Sequence, residues 1–82
     1  MEISIENIKK LIVLADVVID VEKIDVNKSL TEQGIDSLEF VNICLVIEET
    51  FCIKIPDEDL EDLNTINNII DYVRSKSNLN QI

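Results

Sequence analysis

The chain has no histidine, no tryptophan, one glycine and one proline among its 82 residues. Each absence removes a class of chemistry. Without histidine there is no ordinary general base near neutral pH and nothing to take the proton of a serine nucleophile, so triad catalysis is excluded. A single glycine cannot build the glycine-rich loops that cradle nucleotide phosphates. Two cysteines without histidine fall short of the four ligands of a structural zinc site. Seven bases against 17 acids leave a net charge of −10. Scattered bases cannot displace the counterions of a nucleic acid or hold an anionic membrane surface, so neither is expected as a partner. No apolar run approaches the ~18–20 residues of a membrane span, and no charged segment leads into an apolar one as in a secretory leader. What remains is a cytoplasmic protein, not an enzyme, whose partners are proteins of basic character.

Cys44 and Cys52 are the only cysteines. Eight positions apart on one helix they would be separated by about 12 Å, beyond the ~7 Å reach of a disulfide. With Cys52 just past a helix end the bridge stays open in principle. The plainer reading is two reduced thiols filling apolar space.

Apolar residues make up 46% of the chain, enough for one core, and no repeat or linker divides it. One domain over residues 1–82 is expected, ordered from about 3 to 76, with a tail at 77–82 that frays. The spacing of Ile5, Ile8, Ile12 and Ala15 predicts a helix from about Ser4 to Val17. The helical period is lost over residues 18–35, where Val21, Ile24, Val26 and Leu30 read as anchors of a long loop ending at Gly34. Asp36 with Glu39 three residues on forms a capping-box pattern that opens a second helix running to Glu49 or Phe51. Pro56 and the acidic run Asp57–Asp62 predict a short third helix, its acids at the positive end of the dipole. Asn64 or Thr65 caps a last helix with Ile66, Ile69, Ile70 and Val73 on one stripe. The expected class is all-α: a small four-helix bundle with a long loop between helices 1 and 2 and a short helix 3.

At 100° per residue, the second helix has two faces. Phe40, Ile43, Cys44, Ile47 and Phe51 point one way, toward the core. Leu38, Val41, Asn42, Leu45, Glu48 and Glu49 point the other. Single exposed apolar residues are ordinary, but three at helical spacing rimmed by acids form a face suited to docking a protein. Residues 36–62 hold nine acids and one base, a net of −8, so the negative field centres on this helix and the next.

Ser37 stands at the start of that helix. Taken alone, such a serine is a cap or first-turn residue. The position also suits a phosphate ester, which would lie against first-turn N–H groups at the positive end of the helix dipole.

The stretch Asp36-Ser37-Leu38 resembles the signature of the acyl carrier proteins. The lead-in Ser29-Leu30 to Gly34-Ile35 is similar to that family's approach to its serine. Glu48-Glu49-x-Phe51, then Ile55-Pro56-Asp57-Glu58, resemble its end of helix two and entry to helix three, and Ile69-Ile70-Asp71-Tyr72-Val73 its last helix. The likeness spans residues 3 to about 76 and implies a free-standing, monomeric carrier. It implies 4′-phosphopantetheine on Ser37, flanked by Asp36 and Leu38 and transferred from coenzyme A by a separate, magnesium-requiring phosphopantetheinyl transferase. The arm's thiol would hold acyl intermediates as thioesters. Leu38, Leu45, Glu48 and Glu49, with Val41 and Ile55, would dock acyl-loading and acyl-processing enzymes through their basic patches. No metal site is implied.

Asn42, Lys54 and Phe40 depart from the fatty-acid carriers, which weighs against a housekeeping fatty-acid carrier and leaves room for one dedicated to a specialised, polyketide-like pathway; both fatty-acid and specialised synthesis stay open. An aminoacyl or peptidyl carrier shares the plan, although Asp36 and the acidic second helix favour the acyl type. An acidic helical adaptor without a prosthetic group explains the charge but not the placing of Ser37. Asp57–Asp62 lacks the glycine-centred loop of a calcium site.

Overall fold

The computed structural model describes the backbone of residues 2–80 and the side chains of residues 2–76. Three α-helices and a seven-residue 3-10 helix make up the bundle, and the described residues contain no strand. Helix α1 is Ile5–Leu14, α2 is Ser37–Phe51 and α3 is Ile66–Asn80; the 3-10 helix is Asp57–Leu63. Helix α1 packs on both α2 and α3, while the 3-10 helix packs on α3. The tail expected to fray is 77–82; the backbone of 77–80 is described as part of α3, while residues 81–82 and the side chains of 77–80 lie outside the described residues.

Helix α1 is capped by Ser4, whose Oγ accepts the Asn7 N–H at 3.2 Å. It stops at Leu14, short of the expected Val17. Asp16 turns into the left-handed region at φ 61°, which a short polar residue tolerates better than most. The Asp16 N–H donates back to the Val13 carbonyl at 3.1 Å, tightening the last turn. The buried stripe is Ile8, Leu11, Ile12 and Ala15. Leu11 thus joins the core, whereas Ile5, expected inside, is 40% exposed beside an open groove at the first turn.

The long loop is an ordered layer. It contains single 3-10 turns at Val21–Lys23 and Thr31–Gln33. Ile24, Leu30 and Ile35 are buried, with Val21 and Val26 partly so. The Gln33 side chain staples it from within. Its oxygen accepts the Asp25 N–H at 2.7 Å and its nitrogen donates to the Asp25 and Lys28 carbonyls at 3.0 and 3.1 Å. Two backbone bonds fasten the loop to the start of α3: Leu30 N–H to the Asn64 carbonyl at 2.7 Å, and Asn67 N–H to the Val26 carbonyl at 3.2 Å. Gly34 closes the loop at φ 104°, and a Cβ there would meet Ile19 Cγ2 at 3.2 Å. Any other residue would be both strained and crowded.

The expected third helix is 3-10 rather than α. Its Asp-rich composition is poor in α propensity. Leu60 and the buried Leu63, three residues apart, share one side at the three-residue period of a 3-10 turn. Thr65 caps α3 by accepting the Asn68 N–H at 3.0 Å, and the stripe Ile66, Ile69, Ile70 and Val73 is buried. No polar side chain is buried among the described residues.

Candidate attachment and docking site

The loop's last anchor, Ile35, is 1% exposed, and it delivers Asp36 in extended conformation to the start of α2. Asp36 Oδ1 accepts the Glu39 N–H at 2.8 Å, and Glu39 Oε1 accepts the Asp36 N–H at 3.1 Å. That reciprocal box satisfies the helix entry without Ser37. Ser37 is the first helical residue and is exposed, so it is not the cap. The other Glu39 oxygen, Oε2, accepts the Val18 N–H at 2.9 Å. One carboxylate therefore ties the start of the loop to the entry of α2, a contact across 21 positions for which the sequence carries no signal.

Beyond Ser37, Leu38, Val41 and Leu45 are 72%, 44% and 50% exposed along successive turns. Asn42 and Glu49 are exposed beside them and Glu48 is half-buried. Ile43, Cys44 and Ile47 are buried on the opposite face, with Phe40 and Phe51 partly buried against the same core. The two faces expected of α2 are thus both present. Ile55 does not join the exposed one: it is 8% exposed and belongs to the core cluster. As a docking residue it is corrected, because the turn after Cys52 folds Ile53 and Ile55 inward together.

The two glutamates border different surroundings. Burial, then the charge of Glu48, pushes the Cys44 thiol up to about 11. Burial, the hydrogen bond to Asp59, and the charges of Asp59, Asp62 and Glu48 push the Tyr72 hydroxyl up to about 12. Glu48 therefore lies on the flank facing the 3-10 helix and α3. There the Tyr72 hydroxyl donates to Asp59 Oδ2 at 2.7 Å and Lys76 Nζ stands 5.4 Å from the Tyr72 ring centre. On the other flank Glu49 and Leu45 share a groove with Leu14 and Asp16 at the end of α1. Cys52 caps α2 from an exposed left-handed position at φ 56°, and both cysteines are free thiols.

The described residues hold no cluster of three or more metal-binding side chains, and no helix among them is long and apolar enough to cross a membrane. The described residues thus form an all-helical domain that exposes Ser37 at a helix entry, beside an apolar face edged with carboxylates. Residues 11–73 match the family described as the phosphopantetheine attachment site. The chain is 48% identical over 60 residues to the acyl carrier protein of Buchnera aphidicola subsp. Schizaphis graminum (strain Sg), covering 72% of this chain and 76% of that relative. The chain belongs to the acyl carrier protein family: it is a carrier and not an enzyme, and its prosthetic group is 4′-phosphopantetheine.

Proposed function

We propose that Ser37 carries the 4′-phosphopantetheine, and that the exposed face of α2 docks the transferase and the enzymes that load and process the acyl group. The observation that carries this reading is the division of labour at the helix entry. Asp36 and Glu39 do the capping, and Ser37 is left exposed at the positive end of a fifteen-residue helix. A phosphate ester fits there without displacing any part of the fold. When bound, the group supplies a thiol that holds an acyl chain as a thioester. The protein's own residues supply presentation. Leu38, Val41 and Leu45 offer apolar surface next to the attachment point, while Glu48 and Glu49 steer basic partners toward it.

The cargo we propose is an acyl group of fatty-acid or specialised, polyketide-like synthesis. Asn42 and Lys54, both exposed, lower the negative charge near the face and would select partners of a more limited basic pattern. The carrier works as a monomer. Its two free thiols suit the reducing cytoplasm.

Incubation with coenzyme A, magnesium and a broad-specificity phosphopantetheinyl transferase tests the attachment. One phosphopantetheine should be added to the wild type, and none to Ser37→Ala, whose helical circular dichroism should match the wild type because Asp36 still caps α2. A wild-type mass that never shifts would overturn the reading. The intact mass of protein purified from its native host then reads the cargo directly, and an aminoacyl mass in place of an acyl one would overturn the acyl assignment.

A further inference from the structure

The apolar face of α2 continues past the helix's own edge. On the flank of Glu49, an open groove separates α2 from the end of α1, and Leu45 belongs both to the face and to this groove. Across it, Leu14 is 68% exposed at the last position of α1, and Ala15 lies buried behind it at 6%. Asp16 from one wall and Glu49 from the other, both exposed, contribute carboxylates, and no base lines the groove.

We infer that this groove is the second half of the docking surface, with Leu14 and Asp16 as specificity-determining contacts for an apolar side chain of the phosphopantetheinyl transferase flanked by lysine or arginine. The inference rests on the reading that the face of α2 meets that enzyme. Size supports it. A standard interface buries about 800 Å² on each partner, a disc of about 16 Å radius. Leu45 lies eight positions beyond Ser37, about 12 Å along the helix axis. An enzyme centred near Ser37 therefore covers the groove as well as the face.

Charge selects the same occupant. The groove on the other side of α1 also exposes apolar side chains, Ile5 and Val13, but Lys9 and Lys10 line it together with acids. A basic partner gains little there, whereas the groove beside Leu14 offers it two carboxylates around an apolar slot. The backbone does not explain the carboxylate of Asp16 either. Asparagine or glycine satisfies a left-handed position at least as well.

The test compares kcat/KM for transfer of phosphopantetheine from coenzyme A by one phosphopantetheinyl transferase. Leu14→Gln keeps helix propensity and removes the apolar contact; it should lower kcat/KM about fivefold, with little dependence on salt. Asp16→Asn keeps the turn and removes the charge; it should lower kcat/KM about threefold at low salt, and the loss should shrink as salt rises. Val13→Gln, one position earlier and facing the other groove, should stay within about 1.5-fold of the wild type. Thermal melts of all three check that folding is intact, which their exposure favours. Leu14→Gln and Asp16→Asn proceeding at the wild-type rate, while Ser37 is still modified, would overturn the groove and leave the carrier reading standing. A wild type that takes up no phosphopantetheine would overturn both.

Discussion

Replacing Glu39 with alanine removes two acceptors with one substitution. Oε1 is lost to the Asp36 N–H at 3.1 Å, and Oε2 to the Val18 N–H at 2.9 Å. Hydrogen bonds to a charged group contribute about 1.5–3 kcal/mol when buried. Glu39 is half-exposed and both donors belong to exposed residues, so water recovers much of each bond, leaving about 0.5–1 kcal/mol apiece. Alanine returns a few tenths through helix propensity. The net loss is about 1–1.5 kcal/mol, which in a domain of this size lowers Tm by about 5–10 °C. Glu39→Gln keeps a single acceptor oxygen and should lose about half as much. Melting by circular dichroism gives the size of the effect, and amide hydrogen exchange gives its place. The Val18 amide should exchange about two- to fivefold faster in Glu39→Ala than the global destabilisation explains, the factor that about 0.5–1 kcal/mol of one lost bond gives. The Leu30 amide, bonded to the Asn64 carbonyl at 2.7 Å on the other side of the loop, should follow global stability alone. An unprotected Val18 amide in the wild type, or equal Tm for all three proteins, would refute the tie between loop and helix.

Cys52 holds a left-handed conformation at φ 56° with a Cβ that disfavours it. Cys52→Gly should raise Tm by about 3–8 °C, from about 0.5–1 kcal/mol of relieved strain, and Cys52→Ala should not; a gain shared by both would trace to the thiol and not the backbone. At high pH two raised groups act in the same direction. The folded chain binds its Cys44 proton up to about 11, against an ordinary 9.0, and its Tyr72 proton up to about 12, against 10.0. In these windows the folded state holds more protons than the unfolded one, so stability is full below pH 9 and falls as pH rises toward 12. Urea melts across that range should show the decline, Cys44→Ala should remove its onset, and the single tyrosine makes the absorbance titration of Tyr72 unambiguous; a midpoint near 10 would refute the burial of the Tyr72 hydroxyl together with its contact to Asp59. For docking, Glu48→Lys should slow transferase modification of Ser37 in a salt-sensitive way, while Glu22→Lys changes net charge equally and should matter much less. Equal effects would mean that only net charge counts.

Local chemistry made much of this protein legible in its sequence. The Asp36–Glu39 box needs two residues three apart, and a cap is satisfied within one turn. The stripes Ile43, Cys44 and Ile47 on α2, and Ile66, Ile69, Ile70 and Val73 on α3, follow from the helical period once the caps set the ends. Together with Ser37 and its flanking residues, these determined the helical class and the candidate attachment point. Periodicity assigns residues to a face but does not say how far a neighbouring element covers that face. Ile5 lies on the α1 stripe and is exposed, Leu11 takes the covered place, and Ile55 folds inward although it follows a helix end. Leu14 and Ile55 are both large and apolar; only the packing of α1 on α2 and the turn after Cys52 decided that one faces solvent and the other the core. The second bond of Glu39, to a backbone 21 positions away, belongs to the same class. Each depends on which surfaces meet when the chain closes on itself, and that is set by the sum of many weak contacts between elements, none of which is written in the order of residues within any one of them.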